Sequence, residues 1–233
     1  DVSPLRELTA ENMQKKLHFF NAKPTIIDEE ASFSGSFGAE TQFVGYNETT
    51  AAQIKYHLKK RHTFGKMSML ILDEKGDTIS ELGPGKTKGI NIVNWNYSMK
   101  QPKVAKGKTF SFGGFTTPTL PAGEYTVRIT KGKEVFEHPL VLAYDPKSVI
   151  STSERKSKQE AVMMMYNMIE SLAYDVYCVD AYLTYANDNK IRKLISKLDA
   201  LKQTMVITSG DNYVGSSEPQ LREKMTNLFQ RVE

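Results

Sequence analysis

The sequence predicts an α+β protein: an immunoglobulin-like or fibronectin type III-like β-sandwich followed by an α-helical hairpin or three-helix bundle. Three observations carry this prediction. Between residues 41 and 145 about seven short runs alternate apolar and polar side chains, each bounded by Gly, Pro or Asp turn signals at sandwich spacing. Beyond Asp145-Pro146 the apolar period changes from two to alternating threes and fours, which is the rhythm of packed helices. The 233 residues, 39% apolar and 25% charged, have the composition of a globular chain long enough to bury a sizeable core.

The pieces follow in order. Asp1 to Leu8 has a Pro and no period, and reads as the tail of something upstream. Thr9 is placed to cap a short helix through about Phe20, with Met13, Leu17 and Phe20 recurring at spacings of four and three. Asn21 to Gly45 is a Gly-, Ser- and Pro-containing connector, so residues 1–40 are expected to be a linker with one short helix.

The sandwich is expected over residues 41–147. Ile54, Tyr56 and Leu58 share one face of a strand, and Met67 to Leu72 is apolar enough for a central one. Asp73 to Gly76 turns the chain into Thr78 to Leu82, with Gly76 free to take the left-handed conformation. Gly83-Pro84-Gly85 breaks the pairing. In the following strand Asn91, Val93 and Trp95, the single tryptophan, face away from Ile90, Ile92 and Asn94. After a long polar excursion, Pro121-Ala122-Gly123 turns into a strand whose Tyr125, Val127 and Ile129 share one face. Lys131-Gly132 then makes a tight hairpin to Glu134–Leu142.

The helical part is expected over residues 148–233. Ser151 and Glu154 have capping-box spacing. Val162, Met165, Ile169, Leu172, Val176, Val179, Leu183 and Ala186 form a seam. Met164, Met168, Ala173 and Tyr177 widen it, so this helix is expected to pack on its successor and on a further surface, the sandwich or a partner chain. After the turn Asn187-Asp188-Asn189, the residues Ile191, Leu194, Leu198, Leu201 and Met205 repeat the spacing. Leu221, Met225, Leu228 and Val232 offer a short third helix from about Glu218.

Charge and motifs exclude several classes. No run of about 18 apolar residues exists, so no membrane-spanning helix is expected. Residues 40–150 hold 16 basic against 10 acidic residues, but the basic ones fall in loops, Lys59-Lys60-Arg61 and Lys100, Lys103, Lys106 and Lys108. They lack interleaved stacking aromatics, so they read as solvated lysines and not as a nucleic-acid surface. Cys178 is the single cysteine, which excludes an intramolecular disulfide and a cysteine-based metal cluster. His18, His57, His62 and His138 lack metal-ligand spacing, so neither metal nor cofactor is expected. Asp73 with Glu74 reads as turn chemistry, and Asp175 with Asp180 lies on separate faces of a helix, so no carboxylate pair suits glycoside chemistry and no catalytic residue is assigned. Asn47-Glu48-Thr49 has the form of a glycosylation sequon, and Gly83-Pro84-Gly85-Lys86-Thr87 lacks the N–H groups of a phosphate loop.

Asp1, Pro4 and Leu5; Ile71-Leu72-Asp73 with Gly76; Gly89, Asn91 and Trp95; and Pro121, Gly123, Tyr125, Val127 and Ile129 fall in an order that resembles the post-propeller region of bacterial sortilin-like BNR-repeat β-propeller proteins, often labelled glycosyl hydrolases. Ser151 to Ala186 and Gln220 to Phe229 look like that family's helices. Trp95-Asn96 stands where the family has Trp-Asp, which removes a carboxylate, and these residues contain no propeller. The resemblance implies an upstream propeller as partner and a secreted or periplasmic parent.

The expected role is therefore a non-catalytic accessory or interaction region. The alternative is a carbohydrate-binding module, in which Tyr97, Phe110, Phe112 and Phe115 form an exposed aromatic strip for a glycan. An enzyme would require a pocket assembled from parts that no linear motif reveals.

Overall fold

Alternation becomes strand wherever a neighbouring chain satisfies the backbone. The computed structural model describes residues 3–29, 49–109, 116–209 and 218–233. They fall into two units, Asp1–Ser98 with Leu120–Val149, and Met99–Thr119 with Ile150–Glu233.

The first unit holds two sheets. One, of order β1-β3-β6, is built from β1 (Leu17–Phe19), β3 (Ala52–Leu58) and β6 (Gly89–Trp95), all antiparallel. The other runs β2-β8-β7-β4-β5, from β2 (Thr25–Ile26), β8 (Glu134–Ala143), β7 (Gly123–Lys131), β4 (Met67–Leu72) and β5 (Thr78–Leu82). Ala52, Ile54, Tyr56, Leu58 and Trp95 of the first sheet and Met69, Ile71, Val127, Ile129 and Leu142 of the second are buried, as the two-residue period requires. Ring contacts join the sheets face to face. Trp95 meets Tyr125 edge-on at 5.8 Å, and Phe19 stacks on His138 at 5.1 Å. The unit is sandwich-like.

Turn chemistry behaves as expected at Gly76 and Gly132, which take φ of 85° and 63°. Asp73 Oδ1 accepts the backbone N–H groups of Lys75 and Asp77, so its carboxylate closes a turn. The register between β4 and β5 shifts at Ile71/Leu72, which leaves Ile79 as the extra residue on β5.

Residues 3–29, the described part of the expected linker 1–40, depart from it. Ser3–Arg6 forms a single turn, α1, and Thr9 does cap a helix, α2, but this ends at Gln14 instead of near Phe20. The residues that follow leave the helix because Leu17–Phe19 pairs with the open edge of β3, burying Leu17 and Phe20. β2 adds a parallel edge to β8. The sandwich thus draws two strands from the presumed linker.

The second unit is organised by α3 (Thr152–Asp188), a 37-residue helix about 55 Å long at 1.5 Å per residue. Its capping box is formed, with Ser151 Oγ accepting from Glu154 N and Glu154 Oε2 accepting from Ser151 N. Val162, Met165, Ile169, Leu172, Val176, Val179 and Ala186 are buried, and Leu183 is half-buried. Packed against this helix are α4 (Arg192–Met205) and α5 (Leu221–Val232). α4 buries no residue fully, and its Ile191 and Leu201 neighbours in the expected seam are exposed. α5 turns Met225 and Phe229 inward with Arg222, leaving the expected Leu221 and Leu228 exposed.

The long excursion supplies the further cover. Residues 99–109 belong to the helical unit, with Ala105 in its core beside Val162, Ile169 and Phe229. Arg222, 3% exposed, bolts this segment down. Its Nη1 donates to Ala105 O at 3.0 Å, Nη2 to Thr109 O at 3.1 Å, and Nε to Glu223 Oε1 at 2.8 Å. A Cβ on Gly107 would lie 2.7 Å from Arg222 Nη1, so any larger residue there would have to displace the guanidinium from its hydrogen bonds.

Candidate functional site

The aromatic strip expected to bind a glycan does not include Tyr97. This side chain is 7% exposed, at a turn leaving β6 where its backbone takes φ of 43°, and its hydroxyl accepts from Asp28 N at 3.4 Å. A ring buried in the sandwich has no free face for a sugar. Phe110, Phe112 and Phe115 lie outside the described residues, as do Asn47 and Glu48 of the sequon.

The motif residues hold the fold. Trp95 is 2% exposed and donates from Nε1 to Ser98 O at 3.1 Å. Asn91, also buried, accepts from Thr87 N at 3.1 Å and donates from Nδ2 to Thr87 O at 2.9 Å and to Gly89 O. Tyr125 donates its hydroxyl proton to Pro121 O at 2.8 Å, and burial above all pushes its pKa up to about 12. The lysines Lys100, Lys103, Lys106 and Lys108 are exposed.

Among the described residues no group of three or more His, Cys, Asp or Glu side chains is arranged to hold a metal ion. Two histidines do meet. His18 and His57 are register partners in β1 and β3, and His18 Nε2 and His57 Nδ1 are buried without a hydrogen-bond partner. Glu7 Oε2 lies 3.8 Å from His18 Nε2 and also accepts from Asn21. Burial, then Lys15, lowers the pKa of His18, and Glu7 opposes them. Burial likewise lowers that of His138. His18 and His138 are thus held toward the neutral form.

The site that sequence reasoning missed lies on the outward side of α3. Tyr174, Tyr177, Tyr182 and Tyr185 are 67%, 69%, 62% and 58% exposed, and Met164 is 64% exposed. Met164, Met168 and Tyr177, expected to widen the buried seam, instead belong to this open side, because the inward seam is already filled by α4, α5 and residues 99–109. Tyr174 is hydrogen-bonded to Cys178 one turn on, which leads the causes that raise its pKa. An open depression lined by Asn167, Glu170, Ser171, Tyr174 and Asp175 runs along the same side. Four exposed tyrosines on one rigid helix are the composition of a protein-contact surface, where large amphipathic rings combine apolar area with a hydrogen-bonding tip. The available signal was that α3 carries more apolar and aromatic residues than its one buried seam uses.

No protein-family model matches the chain, and no curated protein does. Among solved structures the chain is similar to the crystal structure of CopC from Methylosinus trichosporium OB3b, at 16% identity and a TM-score of 0.24, over 43% of this chain and 84% of that one. A likeness at that level carries no argument about this chain.

Proposed function

We propose that the chain is a non-catalytic interaction region, an immunoglobulin-like or fibronectin type III-like sandwich joined to a helical unit that presents the outward side of α3 to a protein partner. The observation that carries it is the row of four tyrosines, each more than half exposed, on a helix whose other side is fully used for packing. The finer fold reading is supported by the Tyr125 hydroxyl returning to Pro121 O at a strand corner, the bond of the tyrosine corner in immunoglobulin-like sandwiches. Following the resemblance to post-propeller regions, the parent is an exported protein, secreted or periplasmic, with a BNR-repeat propeller upstream. The structural use of Gly89, Asn91, Trp95, Pro121 and Tyr125 supports reading those motifs as fold signatures.

Two measurements test this reading. Sequencing the reading frame around Asp1 is expected to reveal an export signal and propeller repeats, and a different upstream domain would contradict the parentage. Assaying the chain against a broad panel of hydrolase substrates is expected to give no turnover. Turnover abolished by one Asp or Glu substitution would contradict the non-catalytic role.

A further inference from the structure

The outward side of α3 carries a second seam. From Ser157 to Asp188 the positions at alternating spacings of three and four avoid the buried face: Met164, Tyr174, Cys178, Ala181 and Tyr185 are apolar or aromatic, continuous from Tyr174 on, and Ser157, Glu160, Asn167, Ser171 and Asp188 are polar. A repeat of threes and fours on an exposed helix side fits another helix. We propose that this seam pairs with the same seam of a second copy of the chain, the two α3 helices running antiparallel about a two-fold axis between Ser171 and Tyr174. The inference deepens the reading of this side as a contact surface by naming its partner.

Size, shape and charge favour a second copy. A buried aromatic side chain covers about 150–250 Å², so the four tyrosines, each some 60% exposed, with Met164 and Met168, present on the order of 700 Å² when Tyr177, Tyr182 and Met168, which flank the seam, are counted with it. A standard interface takes about 800 Å² from each partner. An isologous contact must match itself. With the axis between Ser171 and Tyr174, Tyr174 of one copy lies over Ser171 of the other, and Ala181 over Met164, so large side chains meet small ones along the seam. Charge selects the antiparallel direction. α3 has no Lys or Arg after Lys158, while Glu160, Glu170, Asp175, Asp180 and Asp188 follow; Asp180 is paired with Lys202 of α4, but a parallel pair would set the exposed Glu160, Asp175 and Asp188 against their own copies. The antiparallel pair brings Asp188 to the first turns, where Lys156 is exposed and held by a long, solvated pair with Glu160 at 3.9 Å, and opposes the two helix dipoles.

Sedimentation velocity of the whole chain over a range of concentrations tests this. The expected result is a dimer that dissociates on dilution. Ala181→Glu is expected to weaken it by about tenfold or more, with an unchanged circular dichroism spectrum. Lys156→Glu and Asp188→Lys each weaken it, and combining them restores it, because the two positions meet across the axis. A chain that stays monomeric at every concentration overturns the proposal, as does a dimer indifferent to Ala181→Glu or to the charge exchange, which would associate through another surface. Should Ala181→Glu disturb folding, the two exposed charge variants still decide the matter. None of these outcomes bears on the upstream reading frame or on turnover, so the broader interaction role stands or falls separately.

Discussion

The ring of Trp95 on β6 meets the ring of Tyr125 on β7 edge to face, with centroids 5.8 Å apart and planes at 74°, and this pair joins the two sheets of the first unit. Both residues also close their own strand ends, Trp95 through Ser98 O and Tyr125 through Pro121 O. Trp95→Ala is therefore expected to cost about 3–5 kcal/mol, read as a shift in the urea midpoint. Tyr125→Phe, which keeps the ring and removes one hydrogen bond, is expected to cost about 1 kcal/mol. Equal small losses for both would show that the rings do not hold the sheets.

Arg222 determines where the long excursion goes. Arg222→Ala strands the carbonyls of Ala105 and Thr109, and each buried unpaired acceptor costs about 1–3 kcal/mol. Gly107→Ala attacks the same joint from the other side, by pushing a methyl group into the guanidinium. Both variants are expected to speed amide exchange over residues 99–109 more than within β3 or β7. Uniform changes across the chain would contradict a local clamp.

Leu172 sits 5% exposed in the α3 core beside Val176 and Phe229. Burial of a leucine is worth about 1.5–3 kcal/mol, and Leu172→Asp adds the cost of an unpaired charge. A loss of several kcal/mol is expected in thermal or urea unfolding. A variant with the parent's melting temperature would mean that the seam is not a core.

Acid is expected to weaken the sandwich unit through its imidazoles. His18 and His138 have pKa values lowered in the folded chain from the usual 6.5. In the window just below 6.5 the unfolded chain binds protons that the folded chain refuses, so stability rises with pH there. It is full above pH 6.5, declines as pH falls below it, and levels off once the folded imidazoles are also protonated. Glu7 faces His18 and softens the loss, while Lys15 and His57 deepen it. Melting temperatures at pH 7.5 and 5.5 check this, and the gap is expected to shrink in His18→Gln with His138→Gln. A gap of unchanged size would assign the acid sensitivity to other groups.

Elements that carry their own period were legible in the sequence. Met67–Leu72 and Thr78–Leu82 occur with the expected bounds, and Ser151 with Glu154 starts α3 as its spacing required. Elements defined by a distant partner were not. Leu17–Phe19 is three residues long and is strand only because β3 offers an edge, and a Thr cap upstream pulled the local reading toward helix. The excursion after Trp95 reads as a sandwich loop until Arg222, more than a hundred positions later, supplies the donors that hold it. The tyrosine side of α3 was visible only as apolar residues in excess of one seam. The rotation that exposes Tyr174 and buries Val176 depends on which side α4, α5 and residues 99–109 occupy.

The separation of α3 into a packing side and a contact side is the centre of this account, and unfolding of Tyr174→Ser combined with Tyr185→Ser tests it most directly. At a concentration low enough to keep the chain monomeric, each substitution on an exposed side is expected to stay within about 0.5 kcal/mol, leaving the urea midpoint of the double variant close to the parent's. A loss of several kcal/mol under those conditions would show that the tyrosines are part of the chain's own packing, and would contradict the reading of this side as a surface kept open for a partner.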